Sequence, residues 1–201
     1  MEEKYSAGLM SQSFWFVEFK KIVLLRQSGV EYDEIKRQCI EDNLFGAVNP
    51  YREQRMSGYL ISRLKALDDE IVEIFVNSDA SIQKVINLIA VMNTNRLFYE
   101  FVYEVYRNKL ILGEEEIGLK DVNIFFAQKE AQNEDFACWK ESTKKRLRAL
   151  FLNFLIEADL VKWTDSSKTD RRTNRVFISI ELENYLKRTN VSMYNAIAGV
   201  N

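Results

Sequence analysis

Along most of the chain, apolar residues return every three or four positions, the spacing of an amphipathic helix that holds one face against a core. Ile82, Val85, Ile86, Ile89 and Ala90 mark such a face over Ser81 to Asn93, and Met56, Tyr59, Leu60, Leu64 and Leu67 mark another behind Asn49 and Pro50. Proline suits the first helical position, since its missing N–H is one the helix could not have satisfied. Ile35, Cys39 and Ile40 indicate a helix before it, and Asp68 to Asn77 a short one after it. Phe14, Val17, Ile22 and Leu25, with Ser13 as N-cap and Gly29 as the stop, predict a first helix that is apolar on nearly all faces and therefore central. Leu97, Phe98, Phe101, Val102, Val105 and Tyr106 form a broad apolar and aromatic face over Arg96 to Leu112, closed by Gly113. Their helical spacing assigns these aromatics to packing rather than to base stacking.

After Glu114 to Glu116 the pattern changes. A helix from Leu119 to Gln132 precedes a strongly amphipathic one over Ser142 to Ala158, in which Leu147, Leu150, Phe151, Phe154, Leu155 and Ala158 share a face and Ser142 or Thr143 is the cap. Leu160 to Thr164 and Arg175 to Ile180 then favour strand, with the polar, turn-rich Asp165 to Asn174 between them, so one β-hairpin is expected. A short helix over Glu181 to Arg188 follows. Helix, helix and hairpin is the order of a winged helix, a helix-turn-helix variant. The expected fold is mainly α: a multi-helix bundle with a C-terminal winged-helix-like segment carrying one small β-hairpin. Residues 1–115 would form the helical bundle, with a helix-turn-helix candidate inside it, and residues 116–201 the winged-helix-like domain.

Composition fits this picture and removes several chemistries. One proline and seven glycines leave room for short turns rather than linkers, and 47% hydrophobic against 29% charged residues is the balance of a globular domain. Histidine is absent from the sequence, which excludes histidine-dependent serine or cysteine triads and the commonest zinc ligand. Cys39 and Cys138 stand far apart without a CxxC partner, and both are read as small buried thiols. Glu114, Glu115 and Glu116 are consecutive and do not converge on a metal or acid-base site, and there is no glycine-rich phosphate loop. No catalytic residue, metal or cofactor is assigned, no small-molecule substrate is indicated, and the chain reads as non-enzymatic. The N-terminus MEEKYSAGLMSQSF lacks the basic start and apolar centre of a secretory signal. The apolar runs Phe14 to Leu25 and Leu147 to Val161 are interrupted by charges such as Glu18, Lys20, Arg148 and Glu157, so no membrane span is expected and the location is cytoplasmic.

Charge is segregated. Between Trp139 and Val176 there are ten basic and five acidic residues, a net +5, whereas the whole chain carries −2, leaving −7 elsewhere. A basic helix followed by a basic hairpin is what duplex DNA requires, because cations that neutralise phosphates release condensed counterions. The candidate DNA-binding residues are Lys144, Lys145 and Arg148 on the helix and Lys168, Arg171, Arg172 and Arg175 around the hairpin. Arg52, Arg55 and Arg63, in the helix-turn-helix candidate between Tyr32 and Leu67, form an auxiliary set, although Glu31, Asp33, Glu34, Glu41 and Asp42 nearby fit a solvated surface as well. An ordinary solvated face and docking to an acidic protein partner are the competing readings of the basic segment. RNA binding ranks lower, for want of an aromatic-rich motif of the kind that stacks single-stranded bases.

Segments spread over nearly the whole chain carry a family resemblance: YSAGL near the start, INLIAVMNTNRLFYEFVYEVYRNKL in the middle, then DVNIFFAQK, WKEST and LFLNFLIEADLV. In these the sequence resembles the BrxA proteins of the BREX bacteriophage-exclusion systems. The resemblance implies a helical, DNA-binding, non-enzymatic component of a multi-protein phage-defence system that also contains a DNA methyltransferase, an ATPase and a phosphatase-like protein. The partners it implies are double-stranded DNA and other BREX proteins, with an adaptor role inside the defence complex as the alternative. It carries over no catalytic residue.

Overall fold

The computed structural model describes residues 4–201. They form two compact units, one of Phe14–Thr94 and one that joins the N-terminal segment up to Ser13 to Asn95–Asn201. The chain is mainly α, with a single two-stranded antiparallel sheet among the described residues.

The unit of Phe14–Thr94 contains α1 (Phe16–Gln27), α2 (Tyr32–Glu41), α3 (Pro50–Lys65), α4 (Asp69–Asn77) and α5 (Ala80–Thr94). Local chemistry sets their starts. Asn49 accepts the Arg52 N–H at 2.9 Å ahead of Pro50, and Asp68 accepts the Ile71 N–H at 3.0 Å. Helix α1 begins at Phe16, because Trp15 adopts a left-handed conformation and the Phe14 carbonyl ahead of it accepts hydrogen bonds from Arg63 (2.8 Å) and Asn87 (2.9 Å). It is not apolar all round in its surroundings: Val17 and Leu24 are exposed, on the side shared with Lys21 at helical spacing. The helix buried on nearly all sides is α5, whose one charged residue is Lys84.

In the other unit, Arg96–Phe101, the π turn Val102–Tyr106 and Arg107–Leu112 run on as α6, the π turn and α7. Asn95 caps the start, and Gly113, in the left-handed region, closes the end. Then come α8 (Leu119–Gln132), α9 (Glu134–Ala137), α10 (Glu141–Glu157), strands β1 (Val161–Trp163) and β2 (Arg171–Thr173), α11 (Ile180–Thr189) and α12 (Val191–Ala198). An aromatic cluster makes the core. Phe151 of α10 lies 5.1 Å from Phe98, 5.3 Å from Phe101 and 5.5 Å from Phe126 between ring centroids, and Phe98 also meets Phe154. These rings, with Leu147 and Leu155, are almost fully buried and fix how α10 is turned.

The hairpin exists, but its second strand lies earlier than the β-favouring residues suggest. The register pairs Val161 with Thr173, Lys162 with Arg172 and Trp163 with Arg171, leaving Arg175 to Ser179 outside the ladder. Backbone pairing explains the shift. Ile117 N–H donates to the Arg171 carbonyl at 3.3 Å and Thr173 N–H to the Glu115 carbonyl at 2.7 Å, so residues 115–117 bridge the far side of β2 through Glu116 and Arg172.

Candidate nucleic-acid interface

Helix α10 carries four cations, and the structure sorts them into two pairs. Lys144 is buried (3% exposed) with its ammonium donating to the Ala137 carbonyl at 3.0 Å and paired to Glu130 (3.1 Å) and Glu141 (3.2 Å). Burial works to lower its pKa, and the hydrogen bonds to the two glutamates outweigh it and hold the ammonium above its ordinary value. Arg148 is half-buried over the Phe126 ring, 5.2 Å from its centroid, and faces the same two carboxylates at 3.9 and 3.6 Å. Lys145 and Arg146 are exposed, and no ion pair or hydrogen bond engages either side chain among the described residues. Sequence reasoning placed Lys144 outward with Lys145. One step round the helix, together with Glu130 arriving from α8, puts it inside. Arg146 was the cation it passed over; it is exposed at the edge of the apolar stripe, one turn before the half-buried Leu150.

The helix starts with Lys140 as N-cap and without a side-chain cap, so Ser142 stands exposed in its first turn instead of capping it. The outward ridge runs Ser142, Lys145, Arg146, Ala149 and Asn153, all exposed. Between Glu141 and Glu157 the helix has no acidic residue.

Around the hairpin, Lys168 is exposed at the tip in a left-handed conformation. Asp165 builds that tip by accepting from the Ser167 hydroxyl (2.6 Å) and the Thr169 N–H (3.1 Å), contacts that hold its carboxyl below the usual range. Lys162 and Arg172 are exposed and face each other across the ladder, where like charges repel; Glu116 flanks Arg172 on its other side. Arg171 lies over the ring of its cross-strand partner Trp163 at 4.2 Å, and its Nε meets no hydrogen-bond partner. Arg175 donates to the Ala198 (2.8 Å) and Leu110 (3.1 Å) carbonyls, which commits its guanidinium to the fold. Beside the hairpin a groove of about 710 Å³ has an acidic wall of Glu114, Glu115, Glu116, Asp121 and Asp170, a side that repels phosphate. Lys109 in that wall pairs with Glu114 and Asp121, both at 2.9 Å.

In the other unit, Arg52 and Arg55 are exposed on α3, whereas Arg63 is 1% exposed and holds the Phe14 carbonyl, out of reach of a ligand at the surface. Glu53, fully buried, accepts the Phe45 N–H (2.9 Å) and the Ala47 N–H (3.2 Å) and so ties down the turn between α2 and α3. Cys39 is buried, which pushes its thiol up to about 12 with help from the Glu53 charge; Cys138 is exposed, contrary to the expectation of two buried thiols. Among the described residues no cluster suited to a metal ion is present, and no helix is long and apolar enough to cross a membrane.

The fold and sequence have known counterparts. The chain is similar to a crystal structure of an uncharacterized protein from Magnetospirillum magneticum, with a TM-score of 0.78 at 21% identity over 98% of this chain and 100% of that one. It is 30% identical to the BREX protein BrxA of Bacillus cereus (strain H3081.97) over 193 residues, 96% of this chain and 95% of the relative. The family model described as BrxA matches residues 3–190, and the chain therefore belongs to the BrxA family.

Proposed function

We propose that the chain is a non-catalytic, duplex-DNA-binding component of a cytoplasmic BREX phage-defence system, and that α10 with the β1–β2 hairpin acts as a winged helix. The family match supports the role in BREX. The observation that carries the DNA reading is the sorting of cations on α10: two glutamates neutralise the inward pair, and Lys145 and Arg146 stay outward on an acid-free ridge. The order of elements supports it too, with α7, the 115–117 bridge, α8, α10 and the hairpin following one another as in winged helices. In this reading α10 enters the major groove, while Lys168 and Arg172 neutralise phosphates.

A mobility-shift series with duplex DNA, single-stranded DNA and RNA of equal length, at several salt concentrations, tests it. Duplex DNA should bind tightest, with log affinity falling linearly in log salt. Equal or better retention of RNA or single strands would reject the winged-helix mode. A second reading, docking of another BREX protein, is favoured by Phe177 and Ile180, which are 70% and 71% exposed just beyond the hairpin.

A further inference from the structure

We infer that α10 reads base edges, with Arg146 and Asn153 as the specificity-determining residues; this rests on the duplex-DNA reading above. The two residues are seven positions apart, which on an α-helix puts them on one line with about 10.5 Å of rise between their Cα atoms. That is close to three base-pair steps of about 3.4 Å each. Both are exposed, and neither side chain is engaged by another described residue. Ala149 lies between them and Ser142 lies one turn before Arg146, so small side chains occupy the ridge where bulk would hold the helix off the groove floor. A solvated ridge would have no reason to exclude acids from Ser142 to Ile156 while Glu130 and Glu141 are both turned to the inward cations.

The chemistry of the two ends is that of direct readout. An arginine fork fits O6 and N7 of guanine, an asparagine amide fits N6 and N7 of adenine, and a methyl such as that of Ala149 packs on the thymine methyl. The structure thus assigns α10 a short subsite in which a guanine and an adenine lie about three steps apart. Phosphate contacts from the hairpin would set the register without adding sequence information.

Selection from a random duplex pool, followed by affinities for the enriched site and for a scrambled duplex, tests the inference. The parent should prefer the enriched site at least about ten-fold. Arg146→Lys keeps the charge but removes the fork, and Asn153→Ala removes the amide; each should cut the preference by roughly five-fold or more and leave scrambled-duplex affinity and salt slope nearly unchanged. Arg172→Ala should weaken both duplexes alike. Circular dichroism identical to the parent's would confirm that these exposed substitutions leave the fold intact. A parent that binds duplex DNA without preference, or a double variant that keeps the parent's preference, overturns base reading while DNA binding stands. No duplex binding by the parent removes the DNA reading, and base reading with it.

Discussion

Lys144 and Lys145 differ by one step of about 100° around α10, enough to turn one ammonium into the protein and leave the other in solvent. Lys144→Ala should therefore lower the melting temperature, since it leaves the Ala137 carbonyl without its donor and takes the nearer cation from Glu130, and should leave the salt slope of DNA binding as it was. Lys145→Ala should do the reverse, with an unchanged melting temperature and a slope flatter by about 0.9 if that residue neutralises one phosphate. Helical spacing already separates these neighbours, since Lys144 stands three residues before Leu147 and seven before Phe151, in line with the apolar stripe; what the local pattern does not show is Glu130, the partner that arrives from α8. Arg63 likewise stands in line with Met56, Tyr59 and Leu67 on the apolar face of α3, and only its acceptor at Phe14 is distant in sequence. Glu53, three residues before Met56 and seven before Leu60, lies in line with the apolar face of α3 and holds two backbone N–H groups of the α2–α3 turn. Glu53→Ala should cost about 1–3 kcal/mol in chemical denaturation, the range for buried donors left unmet. A change within error would mean that water replaces the carboxylate there.

At the scale of elements, caps and periodicity made most helices legible: Asn49 with Pro50, Asp68 and Gly113 lie at the observed ends, and Leu119–Gln132 is observed as expected. The short α9 and α12 were not foreseen, having too few turns to show a period. Strand β2 was misplaced because backbone pairing with residues 115–117 fixes it, and Arg-Arg-Thr has no apolar alternation to reveal that. The orientation of α10 rests on Phe151, so Phe151→Ala should destabilise by about 3–5 kcal/mol and weaken DNA binding only to the extent that the protein unfolds. A second tie joins the N-terminal segment to α6 and α8. Glu100 accepts from Tyr5 (2.6 Å) and Arg96 (2.7 Å) and pairs with Lys129 at 2.7 Å. Burial opposes its ionisation, but these hydrogen bonds outweigh burial and keep its carboxyl below the ordinary value of 4.5. Its stabilising contribution is complete above that value and is lost as pH falls through the depressed folded value. Glu100→Gln should be less stable than the parent at neutral pH and lose less on acidification, as denaturation midpoints across an acid series would show. Parallel losses in the two proteins would put the acid sensitivity elsewhere.

For the whole molecule, the sequence separates a basic segment from an acidic remainder, and the structure divides the basic segment again. Of the seven residues first assigned to DNA, Lys144 and Arg148 face glutamates, Arg175 is spent on carbonyls, and Arg171 lies against Trp163. Lys145, Lys168 and Arg172 remain exposed, and Arg146 joins them. Charge reversal should therefore discriminate between the two sets. Lys145→Glu, Arg146→Glu, Lys168→Glu and Arg172→Glu combined should keep the helical circular dichroism spectrum, because none of these side chains is buried, and should abolish duplex binding at moderate salt. Restoring the four one at a time should recover affinity in steps that depend on salt, since each phosphate regained releases counterions. Reversing Lys144, Arg148 and Arg175 instead should reduce the folded fraction, as each would set a carboxylate against carboxylates or carbonyls. If the fourfold variant stays folded and binds duplex DNA as tightly as the parent, the α10 and hairpin surface is not the interface. Arg52 and Arg55 on α3, exposed beside a turn that Glu53 holds rigid, then become the residues to reverse.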